Sequence, residues 1–165
     1  MDGKLEDLIT IISNQQIIYD DLLKLAKRKK AAITKGDVNE LDYVVEGEEL
    51  LLMKLGELEN ERHDFLDKTA KAHQIDVDKL TISNWPNTDK ATKDALLSIQ
   101  ATFLKTLEAI NDINNTNQQL INLQLNYIQH VIEEATSQSK LNSYDVDGTR
   151  KQTKEQDPRL VDIRM

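Results

Sequence analysis

The chain has 165 residues, is 39% hydrophobic and 30% charged, and carries a formal net charge of -8 with no cysteine. Without cysteine, disulfides, thiolate metal sites and thiol nucleophiles are excluded. The longest uninterrupted apolar run is Leu50 to Met53, far short of the roughly 20 residues that span a bilayer, so no membrane insertion is expected. The first residues, Met1 to Glu6, lack a basic region leading into an apolar core, and a cytoplasmic location is the expectation.

The first helix is predicted over residues 3 to 35, with Leu5, Leu8, Ile12, Tyr19, Leu22, Ala26 and Ile33 near one face. The basic run Lys27-Arg28-Lys29-Lys30 closes this pattern, where cations complement the negative end of the helix dipole. A patch for membrane or nucleic acid is the alternative reading of that run. Gly36 stops the helix, and Asp37 caps the next, with Glu40 as the reciprocal partner of a capping box. So short a connection makes the first two helices antiparallel neighbours.

The second helix is predicted over residues 38 to 73, through Leu41, Val44, Leu51, Leu55, Leu58, Phe65 and Ala72, with charges on the outer face. Gly47 and Gly56 weaken it by roughly 1 kcal/mol each relative to alanine. From Asp37 to Lys68 there are 11 acidic and 3 basic residues. Nucleic acid is therefore not expected as a partner, because binding phosphates needs clustered Lys and Arg.

Periodicity lapses over residues 74 to 88, with one short helical turn expected within Asp76 to Ile82 and a loop at Asn84-Trp85-Pro86-Asn87. Trp85 reads as a hydrophobic plug at the end of a bundle, a ligand-stacking role being the alternative. Thr88 or Asp89 caps the third helix, predicted over residues 89 to 136. At about 1.5 Å per residue it spans roughly 70 Å against roughly 50 Å for the first, so it should overhang.

Between Ala95 and Ile132 this helix carries only three formal charges, Lys105, Glu108 and Asp112. Leu96, Ile99, Phe103, Ile110, Ile113, Leu120, Tyr127 and Val131 form a seam close to a coiled-coil repeat, with Thr106, Asn117 and Gln124 as its polar members. A second stripe, Ile121, Leu125, Ile128 and Ile132, widens the apolar sector beyond what one neighbouring helix covers. Either it packs against the first two helices, or it receives something from outside the chain.

From residue 138 to 165 the sequence turns polar and reads as a largely disordered tail. Its apolar cluster, Leu160-Val161 with Ile163, is either incidental or a short docking peptide. Neither His63 nor His130 follows a glutamate by three, as a carboxylate-bridged metal site on helices requires. Ser143 to Lys154 has Asp145, Asp147 and Gly148 in calcium-loop positions, but serine and lysine stand where the first and closing ligands belong. No metal, cofactor or catalytic residue is expected, and the chain does not read as an enzyme.

Asn114-Asn115-Thr116-Asn117-Gln118-Gln119-Leu120-Ile121 has the form Asn-x-x-Asn-x-x-apolar-apolar, followed by Leu125, Ile128 and Ile132 and then by Tyr144-Asp145-Val146-Asp147-Gly148. This order resembles the signature of the FlgN-type flagellar export chaperones, and Glu48-Glu49-Leu50-Leu51 through Arg62 resembles their second helix. The resemblance covers roughly Leu41 to Gly148. It implies a cytoplasmic bacterial chaperone that binds the terminal helices of the hook-filament junction proteins FlgK and FlgL and brings them to the flagellar type III export apparatus. It further implies client contacts at Asn114, Asn117, Leu120, Ile121, Gln124, Leu125, Ile128, Val131 and Ile132. Contact with the export gate or its ATPase components is implied at Tyr144 and Gly148, although Asp145 departs from the small residue expected there.

The fold expected is all-α: an antiparallel up-down-up three-helix bundle over residues 1 to 137, with a long third helix and a flexible tail. The competing functional expectation is a structural coiled-coil protein that self-associates through the same stripe without a client. A ferritin-like metal enzyme is a more distant rival.

Overall fold

A computed structural model of the chain describes residues 4–142, and among these it is helical without strands. The elements are α1 (Leu5–Lys35), α2 (Val38–Ala72), a single 3-10 turn (Val77–Lys79) and α3 (Lys90–Asn142). The chain divides into two units, residues 1–125 and 126–165, so α3 begins in one and ends in the other. No helix among the described residues is long and apolar enough to cross a membrane.

In the first unit, Gly36 makes the reversal between α1 and α2. Its φ of 68° and ψ of 27° lie in the left-handed region, which a side chain would strain. The Gly36 amide donates to the Ile33 carbonyl at 3.2 Å and the Asp37 amide to the Ala32 carbonyl at 2.9 Å, which satisfies the last carbonyls of α1. Asp37 then caps α2, its carboxylate accepting from the Glu40 amide at 3.0 Å. The expected capping box is half formed, because the Asp37 amide is already taken by Ala32 and the Glu40 carboxylate turns to Arg28 instead.

Pairings across the helices set their directions. Arg28 and Lys29, late in α1, meet Glu40 and Glu48, early in α2, whereas Gln15, earlier in α1, meets Glu59, later in α2, so the two are antiparallel. Gln16 with Thr106, Ala26 with Asn117 and Ile33 with Gln124 keep separations of 90, 91 and 91 residues, so α3 runs parallel to α1. The up-down-up order follows. These pairings also revise the basic run: Arg28 and Lys29 lie more than a turn before the end of α1 and engage α2 carboxylates, with the Arg28 guanidinium 5.1 Å from the Tyr43 ring centroid. Gly47 permits the close approach, since a Cβ there would stand 3.1 Å from Leu25 Cδ1.

One end of this unit holds a core of Leu5, Leu8, Trp85 and Leu96, with Phe65, Leu66, Leu80 and Ile82 packed around it. Trp85 is only 4% exposed and stacks on Phe65 with centroids 6.2 Å apart, the plug expected of it. The loop that delivers it is tied by Asn84, which accepts from the Thr81 amide at 2.6 Å and donates to the Lys79 carbonyl at 2.7 Å. Asp89, rather than Thr88, caps α3, accepting from the Thr92 amide at 3.0 Å. Each fully buried large apolar side chain contributes about 1.5–3 kcal/mol.

Two expectations about α2 and α3 are corrected. Ala72 is exposed, and Thr69 and Ala70 are buried in its place. A seven-residue repeat drifts about 20° per heptad on a straight helix, so the stripe begun at Val44 has rotated off the core by Ala72. Helix α3 also runs on to Asn142 instead of ending near 136, which makes the start of the expected tail helical. Its polar residues do not break it because Thr136 and Ser137 return their hydroxyls to carbonyls of Ile132 and Glu133, at 2.9 and 2.7 Å. The rest of the tail, including Tyr144, Gly148 and the Leu160 to Ile163 cluster, lies outside the described residues.

Candidate functional site

The α3 seam is buried or half-buried as far as Leu120, and the exposed Gln124 still reaches α1. Leu96, Thr106 and Asn117 are buried, and Ile99, Phe103, Ile110, Ile113 and Leu120 are half-buried. Phe103 meets Tyr19 edge to face, with centroids 4.9 Å apart at 84°. Its polar members act as pegs into α1: Thr106 accepts from Gln16 at 2.9 Å, Asn117 donates to the Ala26 carbonyl at 3.0 Å and Gln124 to the Ile33 carbonyl at 3.4 Å. Asn117 is therefore interior, 2% exposed, as its place among the polar members of the seam leads one to expect. Such a buried amide fixes register at some cost in stability. Leu120 likewise belongs to the half-buried seam.

A groove of about 350 Å³ opens beside this seam, with Leu22 and Ala26 of α1, Leu52 of α2, and Ile110, Asn114, Gln118 and Ile121 of α3 among its lining. Leu52 is 55% exposed at its edge, Asn114 is exposed, and Ile121 is half-buried. Leu125, the last residue of the first unit, is 59% exposed.

In the second unit the helix shows a different surface. Every side chain from Asn126 to Ser139 is exposed. Tyr127 and Val131, expected to bury in the seam, are 68% and 44% exposed, and Ile128 and Ile132 are 50% and 57% exposed. The seam's repeat persists here without burial. Within this stretch Gln129 donates to Glu133 at 3.2 Å and His130 Nε2 stands 3.5 Å from Glu134.

A larger cavity of about 760 Å³ lies near the tryptophan end, bordered by Gln15, Tyr19, Glu59, Arg62 and Trp85 among others. Hydrogen bonds from Arg62, and a further one from the buried Gln15, hold the Glu59 carboxyl down at a pKa of about 2 against the opposing effect of burial. Burial, with the nearby Glu59 charge, pushes the Tyr19 phenol up. Gln15 and Ile11 are buried on α1, and sequence periodicity alone passed over both. It also passed over three large apolar side chains on the outside of α2, Tyr43, Leu50 and Met53. The only signal for two of them was the apolar run Leu50 to Met53, which is too long for a single face.

Compared with known proteins, the chain is matched over residues 1–152 by the family model described as FlgN protein. No curated protein and no solved structure matches it.

Proposed function

The chain belongs to the FlgN family, the family of flagellar export chaperones, and from that premise we propose that it is a cytoplasmic carrier of FlgK and FlgL. In this reading the amphipathic terminal helix of a client lays its apolar face on the half-buried and exposed apolar residues of the α3 stripe. These are Ile121 and Leu125, then Ile128, Val131 and Ile132. Asn114 offers side-chain hydrogen bonds at the edge, while Asn117, Leu120 and Gln124 serve indirectly by holding α3 against α1. The observation that supports this reading most is that the α3 stripe stays open: Leu125, Ile128 and Ile132 are half or more exposed, where packing within the chain would have covered them.

Helix-in-groove recognition of this kind takes its affinity from apolar anchors spaced at helical intervals. It needs no turnover and no cofactor. Covering the client's apolar face also removes the surface through which it would aggregate. Delivery to the export gate or its ATPase components is assigned to the segment around Tyr144 and Gly148.

The test is co-purification of the full chain with FlgK and with FlgL, beside an Ile128→Asp, Ile132→Asp variant. A one-to-one complex that the variant loses, with bundle melting unchanged, is expected. Absence of any complex, together with a multimeric chain that the variant returns to a monomer, would favour self-association through the same stripe.

A further inference from the structure

We infer that the outer face of the N-terminal half of α2 is a second docking surface, separate from the client stripe, for a basic amphipathic helix of another protein. Tyr43, Leu50 and Met53 are 59%, 61% and 68% exposed there. Tyr43 and Leu50 lie two turns apart, and Met53 follows within a turn, so the three share one side of the helix. Glu46, Glu49 and Glu57 stand between and beside them, also exposed.

Arg28 of α1 stands over the Tyr43 ring and the exposed Lys54 lies within a turn of Leu50, but the carboxylates of this face outnumber these cations. Glu40, Glu48 and Glu59 of the same helix each meet a cation, respectively Arg28, Lys29 and Arg62. Among the described residues, Glu46, Glu49 and Glu57 meet none. A face needed only for solubility would not carry three large apolar side chains, and one buried in a core would not carry three carboxylates without an ion pair. An apolar strip edged by negative charge complements a helix whose own apolar strip is edged by Lys or Arg.

The same electrostatics discriminate among occupants. Anionic lipid and nucleic acid are repelled by the carboxylates. A second copy would bring Glu46, Glu49 and Glu57 against like charges, which costs affinity. A basic helix is the occupant that gains from both the strip and its border. Because this face lies on α2, its occupancy does not depend on the client reading.

The probe is a labelled amphipathic peptide of leucine and lysine at helical spacing, with a leucine and glutamate counterpart, titrated with the full chain by fluorescence anisotropy. The basic peptide should bind, more weakly as salt rises, and the acidic one should not. Leu50→Ser with Met53→Ser should weaken binding at least about tenfold, with the helical circular dichroism and melting retained. Glu46→Gln, Glu49→Gln and Glu57→Gln together should flatten the salt dependence. In a chain carrying Ile128→Ser and Ile132→Ser, the Leu50 and Met53 changes should weaken binding by the same factor, so the two surfaces fail or succeed independently. Equal binding of both peptides, or no effect of the Leu50 and Met53 changes, overturns the inference. So does a dimer of the chain that those two changes dissolve, since the occupant would then be a second copy.

Discussion

The two stretches of α3 carry the same apolar repeat and present it to different surroundings. From Leu96 to Leu120 the repeat is buried or half-buried along α1, with Thr106 and Asn117 as pegs. From Tyr127 to Ile132 it is exposed. Periodicity thus specifies which side of a helix is apolar, and only the neighbouring chain decides whether that side is covered. In the first stretch apolar residues stabilise the fold; in the second they stand exposed.

The strongest way to break this contrast is truncation on each side of it. Leu96→Ala, at a site 1% exposed, should cost about 3 kcal/mol in denaturant melts. Leu125→Ala, at 59% exposure, should stay within about 0.5 kcal/mol. Similar losses at both sites would erase the distinction.

Asn117 sharpens it next. Its Nδ2 donates to Ala26 while its Oδ1 is buried without a protein partner. Asn117→Ala should lower stability by about 1–2 kcal/mol, whereas Asn117→Leu, which removes the orphaned acceptor and keeps the branched shape, should cost less than the alanine. If both variants melt alike below the parent chain, the amide is not a register peg of this kind.

The packed unit also has a pH signature. The Glu59 carboxyl is held from the ordinary 4.5 down to about 2, so the stability it contributes is present above the unfolded value and lost as pH falls through the folded one. The gap between parent and Glu59→Gln should be widest near neutrality and close between about pH 4.5 and 2. Its size should stay below about 1 kcal/mol, since the carboxylate is half exposed to screening water. A gap independent of pH would assign the effect to packing. Smallest of all, Gln124→Ala should cost at most a few tenths of a kcal/mol, because its bond to Ile33 is long at 3.4 Å.

Much of this arrangement was legible in the sequence. Gly36-Asp37 marks the first reversal, the lapse after Gln74 marks the second, and α3's scarcity of charge marks it as a contact helix. Trp85 was readable as a plug because a lone large aromatic between two turn residues has few other places to go. What periodicity could not supply were the partners of polar groups. Glu40 chose Arg28 over its capping-box role because Ala32 had already taken the donor, and Asn117 faced inward because Ala26 offered a carbonyl there. Ala72 was misplaced through heptad drift. The end of α3 was misjudged because hydroxyl groups that usually favour helix ends can bond back into the helix.

Amide hydrogen exchange along α3, free and with FlgK, tests the central claim most directly. Helix without tertiary cover exchanges fast, and helix packed in a core exchanges slowly. The expected result is slow exchange from Leu96 to Gln124 in both states, with fast exchange from Asn126 to Ser139 that becomes slow only with the client. Strong protection of Asn126 to Ser139 in the free chain, or no gain there on adding FlgK, would contradict the account.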